Sequence, residues 1–159
     1  MLNNDVLRSL RYILNVNEFE MVEIVKMGGG QVTQAEINTY IKKEDEPGFV
    51  ACKQNVLAHF LNGMIYLKRG RDTSRPPLTT DLPTNNVVLK KLRVAFELKD
   101  TDIMEILKEG GFEVSKSELS ALFRKEGHQN YKECGDQYLR QVLKGVTARV
   151  RGVVAKPKE

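Results

Sequence analysis

Chemistry at neutral pH calls on histidines, thiols, carboxylates or phosphate-cradling glycines in a few known spacings, and the 159-residue chain offers each kind in isolation. Its two histidines, His59 and His128, have no second histidine or cysteine at a metal-ligand spacing such as i and i+4. A nucleophilic thiol needs a basic, accessible setting with its base in reach. The segments around Cys52 and Cys134 show no such setting, so both read as small buried thiols of a reducing compartment. The run Glu44, Asp45, Glu46 lacks the alternating oxygen ligands and closing glutamate of a calcium loop and reads as a solvated corner. Gly28, Gly29 and Gly30 could cradle a phosphate, but no strand precedes them and no Lys-Ser or Lys-Thr pair follows. They read as a helix stop. The expectation is therefore no catalytic residue, no metal site and no cofactor.

What must position these side chains is a duplicated frame. Residues 3–70 recur as 85–152 at a fixed offset of 82 without a gap, and about twenty of the 68 aligned positions are identical, where composition alone gives roughly four. Cys52 and Cys134 occupy equivalent places in the two copies, whereas His59 and His128 do not. A disulfide would require the copies to meet at the cysteines. A unit of this size buries only about 60% of its unfolded surface, so the copies are expected to pack on each other. The expected architecture is all-α, with two homologous four-helix units in tandem. These are residues 1–70 and 85–152, joined by a Pro-rich linker at 71–84 and followed by a frayed tail at 153–159.

Within the first copy, Asn4 stands where it can cap a helix whose apolar residues Val6, Leu7, Leu10, Ile13 and Leu14 keep helical spacing. A second helix follows Asn17, with Phe19, Val22, Ile24 and Val25 apolar, and stops at the glycines. Thr33 and Glu36 form a capping box at the third helix, and Ser115 and Glu118 rebuild it in the second copy. The longest helix, over about 54–68, carries the apolar stripe Val56, Leu57, Phe60, Leu61, Met64 and Ile65. Gly63 interrupts that helix at a cost of roughly 1 kcal/mol, and Gly145 repeats it, which predicts close approach of another backbone at both places. Arg11 and Arg93, kept in both copies, are expected to form structural ion pairs with the capping-box glutamate or with Glu44 and Glu126.

The net charge of +4 is unevenly placed. Residues 1–70 hold eight basic and eight acidic side chains and 71–84 two of each, while residue 85 onward holds fifteen against eleven. Lys116 and Arg124 on the third helix and Arg140, Lys144 and Arg151 on the last therefore form a candidate nucleic-acid contact in the second copy. The second and third helices invite comparison with a helix-turn-helix reader, but the turn at 28–32 exceeds that motif's three or four residues. With no bilayer-length apolar run and no basic flank before an apolar leader, a cytoplasmic protein without a membrane partner is expected.

The segments NNVVLKKLRVAFELK, YKECGDQYLR and FLNGMIYLKRG resemble those of the YehS-like bacterial proteins, a family of about this length whose recurring domain has no established function. The resemblance spans both copies and implies a small bacterial cytosolic protein with a duplicated helical domain. It supplies no catalytic residue and no ligand. Binding without catalysis is the leading expectation, through a protein partner or self-association, with nucleic-acid binding by the second copy as the alternative.

Overall fold

The computed structural model describes residues 1–152; the expected frayed tail at 153–159 lies outside the described residues. Among the described residues there are eight helices and no strand, and none of the helices is long and apolar enough to cross a membrane. The chain divides into two compact units, Met1–Pro83 and the part from Thr84 on.

The first unit comprises α1 (Asn3–Leu14), α2 (Glu18–Met27), α3 (Gln34–Tyr40) and α4 (Gln54–Arg69). Its core joins Leu7, Leu10 and Ile13 of α1, Met21 and Val25 of α2, Ile37 of α3, and Leu57, Phe60, Leu61 and Met64 of α4, all essentially sealed from water. Each such side chain contributes about 1.5–3 kcal/mol by leaving solvent. On α2 the inward set is Met21, Ile24 and Val25, whereas Phe19 stays 61% exposed. The second unit retraces the plan with α5 (Asn85–Phe96), α6 (Asp100–Glu109), α7 (Lys116–Leu122) and α8 (Asp136–Arg151). Leu89, Leu92, Ile103, Leu107, Leu139 and Val146 form its centre.

The start of α1 departs from the sequence expectation. Leu2 occupies the cap position, and Asn4 lies inside the helix with its side chain buried. Its Nδ2 donates to the carbonyls of Tyr40 and Val50, both at 2.9 Å, and its Oδ1 accepts from the amide of Cys52 at 2.9 Å. Asn86 repeats the pattern with Leu122, Lys132 and Cys134 at 2.9, 2.9 and 2.8 Å. A buried amide must find partners or cost several kcal/mol. Here it finds them in irregular backbone that has no ladder of its own, so one asparagine ties the first helix to the end of the third and to the approach of the fourth. Asn3 and Asn85 add bonds to the carbonyls of Cys52 and Cys134, at 3.2 and 3.0 Å.

The glycine crossings differ between units. A Cβ built on Gly63 would land on the carbonyl oxygen of Ile24, and one on Gly28 would land on the carbonyl oxygen of His59, so α2 and α4 meet backbone to backbone. In the second unit a Cβ on Gly145 would instead land on the Ile106 side chain. The expectation of backbone approach at Gly145 is thereby corrected: a β-branched side chain fills the crossing there.

Residues 71–83 belong with the first unit. The Tyr66 hydroxyl accepts from the Leu78 amide at 2.8 Å, and Asn62 donates to the Thr79 carbonyl at 3.1 Å, so this segment lies along α4. The Arg71 guanidinium sits 4.6 Å from the Tyr66 ring centre. Thr84 then caps α5 by accepting from the Val87 amide.

Candidate functional site

Two clusters of basic side chains stand on the second unit, and they ride on different elements. Lys116 opens α7 and Arg124 follows its end; both are exposed. Arg124 and Lys132 line an open groove of about 490 Å3 with Ser117, Ser120 and Asn130, and Glu118 contributes an acidic edge. Arg140 and Lys144 are exposed on α8 and Arg151 is half-buried, the three sharing one helical stripe. α7 packs on α6, while α8 packs on α5 and α6.

Arg93 does not reach the capping-box glutamate or Glu126 as expected. It pairs with Asp100 at the start of α6 at 2.7 Å and lies 4.6 Å from the Phe123 ring centre. A planar guanidinium can do both at once, with its edge to a carboxylate and its face to a ring. Arg11 turns inward along its own helix end, its Nε donating to the Val16 carbonyl at 3.4 Å. Thr33 and Ser115 accept from the amides of Glu36 and Glu118 at 3.1 and 3.0 Å, and each glutamate accepts in return from the cap amide at 2.9 Å. Those returned amide bonds hold both carboxyls below their usual range.

His59 lies half-buried on α4. Its Nδ1 lies 2.9 Å from the Gly28 carbonyl oxygen, at the end of α2. The ring borders an open groove of about 600 Å3 together with Lys26, Gly30, Gln31 and Asn55. His128 sits elsewhere, in the loop after α7, where its Nδ1 accepts from the Asn130 amide at 3.0 Å. Among the described residues no three His, Cys, Asp or Glu side chains gather as a metal site would need.

With this geometry in place, residues 3–70 and 85–152 each match the family described as proteins of unknown function, DUF1456. The chain belongs to the DUF1456 family. It is 50% identical over 150 residues to the uncharacterized protein YehS of Escherichia coli (strain K12), an alignment covering 94% of this chain and 96% of YehS. No solved structure matches. The DUF1456 repeat is thus a four-helix unit, present twice.

Inside each DUF1456 repeat the cysteine belongs to the asparagine clamp. Cys52 and Cys134 are free thiols, 5% and 3% exposed. Burial pushes the Cys52 thiol up to about 12 and the Cys134 thiol up to about 11, the opposite of what nucleophilic chemistry requires. Sequence reasoning missed the clamp because an asparagine at a helix start reads as a cap. The usable signal was the Asn-Asn pair kept in both copies alongside the cysteine.

Proposed function

We propose that the protein is a non-catalytic binding module that acts through protein–protein contact, with the first DUF1456 repeat offering the contact face. One observation carries this reading: four exposed large apolar side chains of the first repeat, Phe19, Met27, Val50 and Leu67, stand where the second repeat has Thr101, Glu109, Lys132 and Arg149. Scattered exposed apolar residues are ordinary, but the same frame in the same chain manages these positions with polar groups. Arg149 reaches Asp102 at 3.3 Å and Glu105 at 3.0 Å. Leu67, at the equivalent place, cannot pair with the equivalent Glu20 and Glu23, both of which are exposed. Exposed apolar side chains beside exposed carboxylates suit an apolar surface with basic groups at its edge, supplied by another protein or a second copy.

The test exchanges the first repeat's residues for the second's. The full chain and the double variant Phe19→Thr/Leu67→Arg are compared by sedimentation velocity and by capture from native bacterial cytosol with and without nuclease. A self-associated species or a nuclease-resistant partner that the variant loses supports the proposal. Identical behaviour of the two proteins overturns it. The variant is expected to fold, because the guanidinium introduced by Leu67→Arg would meet carboxylates as that of Arg149 does.

A second reading, nucleic-acid contact by the second repeat, is favoured by the exposure of Arg140 and Lys144 on one face of α8. Phosphate contacts release counterions, so binding should weaken with salt at a logarithmic slope of roughly 0.9 per contact on duplex DNA. Fluorescence anisotropy with short duplexes and single strands at two salt concentrations checks it. Arg140→Gln/Lys144→Gln should lower both affinity and slope, and no binding at low salt removes this reading.

A further inference from the structure

We infer that the open groove beside His59 in the first unit is a binding site for a small molecule carrying an oxyanion, a phosphate monoester or a carboxylate. The groove is formed where the end of α2, the loop after it and the first turns of α4 come together. Val22 and Val32 give it apolar walls, and Lys26, Gln31, Asn55 and His59 supply its polar groups. Its volume of about 600 Å3 falls in the range of small-molecule sites, ~300–1,000 Å3, and the mixture of apolar wall with a few convergent polar groups is the usual composition of such sites.

The chemistry of the polar set selects the ligand. A carbonyl oxygen can only accept, so His59 Nδ1, 2.9 Å from the Gly28 carbonyl, carries a proton. That bond orients the ring and leaves Nε2 as its remaining polar atom. Lys26, in the last turn of α2, brings an ammonium. Asn55 and His59 lie four residues apart and share one face of α4. Gln31 adds a second carboxamide, and no acidic side chain lines the groove. The ammonium of Lys26 and the carboxamide donors of Gln31 and Asn55, with no carboxylate among them, suit an oxyanion.

The second unit serves as a control within the same molecule. Gly30 becomes Phe112, whose ring packs edge-on against Tyr138 with centroids 5.0 Å apart. His59 becomes Gln141, whose Nε2 turns inward to the Ile106 carbonyl at 2.8 Å, and Gln31 becomes Glu113. The counterpart thus has an aromatic side chain in place of Gly30 and an acidic one in place of Gln31. Gly30 is what permits the arrangement in the first unit, because a Cβ there would come within 2.6 Å of the His59 ring.

The experiment follows amide and imidazole resonances of the full chain by heteronuclear NMR, titrating inorganic phosphate and, separately, acetate at constant ionic strength. Saturable shifts at Gly29, Gly30, Gln31 and the His59 ring are expected. Phosphate alone identifies a phosphate ligand, acetate alone a carboxylate, and both the shared oxyanion chemistry. Lys26→Gln, an exposed change that leaves the core untouched, should weaken binding by about tenfold, the worth of one charge-assisted hydrogen bond. Gly30→Phe/His59→Gln, which installs the second unit's residues, should abolish it. Linear or absent shifts, an affinity unchanged in Lys26→Gln, or saturable shifts confined to the Arg124 groove overturn the proposal. This outcome is independent of the protein-contact face, which uses neither Lys26 nor His59.

Discussion

α4 and α8 arise from the same repeat position and bury the same apolar stripe, yet the face beside that stripe ends differently. On α4, Ala58 and Asn62 are buried, and Asn62 and Tyr66 hold Thr79 and Leu78 of the segment leaving the unit. On α8 the matching places of Ala58 and Asn62 are Arg140 and Lys144, both exposed. A charge taken from water without a partner is costly, so a covered face is built of alanine and asparagine while an open one can carry lysine and arginine. At these two positions the basic side chains of the second copy thus go with solvent access. They become evidence for nucleic acid only through salt-dependent binding.

The crossings beneath these faces differ as well. Backbone meets backbone at Gly63, and an isoleucine side chain fills the gap at Gly145. Shared sequence therefore leaves room for unequal packing, and substitutions can measure how far the two units have diverged.

The largest effect is expected where the units agree. Asn4→Ala and Asn86→Ala each remove three hydrogen bonds and strand buried backbone groups, so each should destabilise by about 3 kcal/mol in urea unfolding. A loss below about 1 kcal/mol at one site would show that the clamp matters in one unit alone.

Next come the crossings, where the units should part. Gly63→Ala drives a methyl into the Ile24 carbonyl and should cost about 2–3 kcal/mol, whereas Gly145→Ala meets the buried, branched side chain of Ile106, which must shift as a whole, and should cost about 1–2 kcal/mol. Equal losses would erase the distinction.

The thiols should respond alike. Their folded pKa is raised, so the stabilisation from keeping them neutral is complete below about 9, the unperturbed value, and is lost as pH climbs through about 11 for Cys134 and about 12 for Cys52. Alkaline unfolding should begin in that window, and a thiol reagent at neutral pH should label both cysteines slowly until the chain is unfolded. Fast native labelling of Cys134 would bring back the reading of a reactive thiol.

A smaller difference lies at the ends of α1 and α5. Asn15 and Glu97 both adopt left-handed backbone, at φ 55 and 54, and asparagine tolerates that region better than glutamate. Glu97→Asn should raise stability by about 0.5 kcal/mol, read from the thermal midpoint, and Asn15→Glu should lower it by a similar amount.

The smallest effect concerns Glu36 and Glu118. Their lowered carboxyl pKa values mean that the capping boxes stabilise fully above about 4.5 and fade as pH falls below it. Removing either box by Glu36→Ala or Glu118→Ala should leave a shallower decline in thermal midpoint on acidification.

The duplication, the helix count, the two capping boxes and the glycine stops after α2 and α6 were all legible in the chain. These features rest on spacings of three or four residues and on self-similarity, and both survive in the one-dimensional record. Tertiary structure alone decided the rest. Asn4 reads as a cap until Cys52, 48 residues away, claims its side chain. The partner of Arg93, the cover over α4, the different neighbours of Gly63 and Gly145 and the open groove beside His59 all depend on which distant residues meet. Local propensity is written in neighbours along the chain, whereas burial and electrostatic partnership are set by neighbours in space.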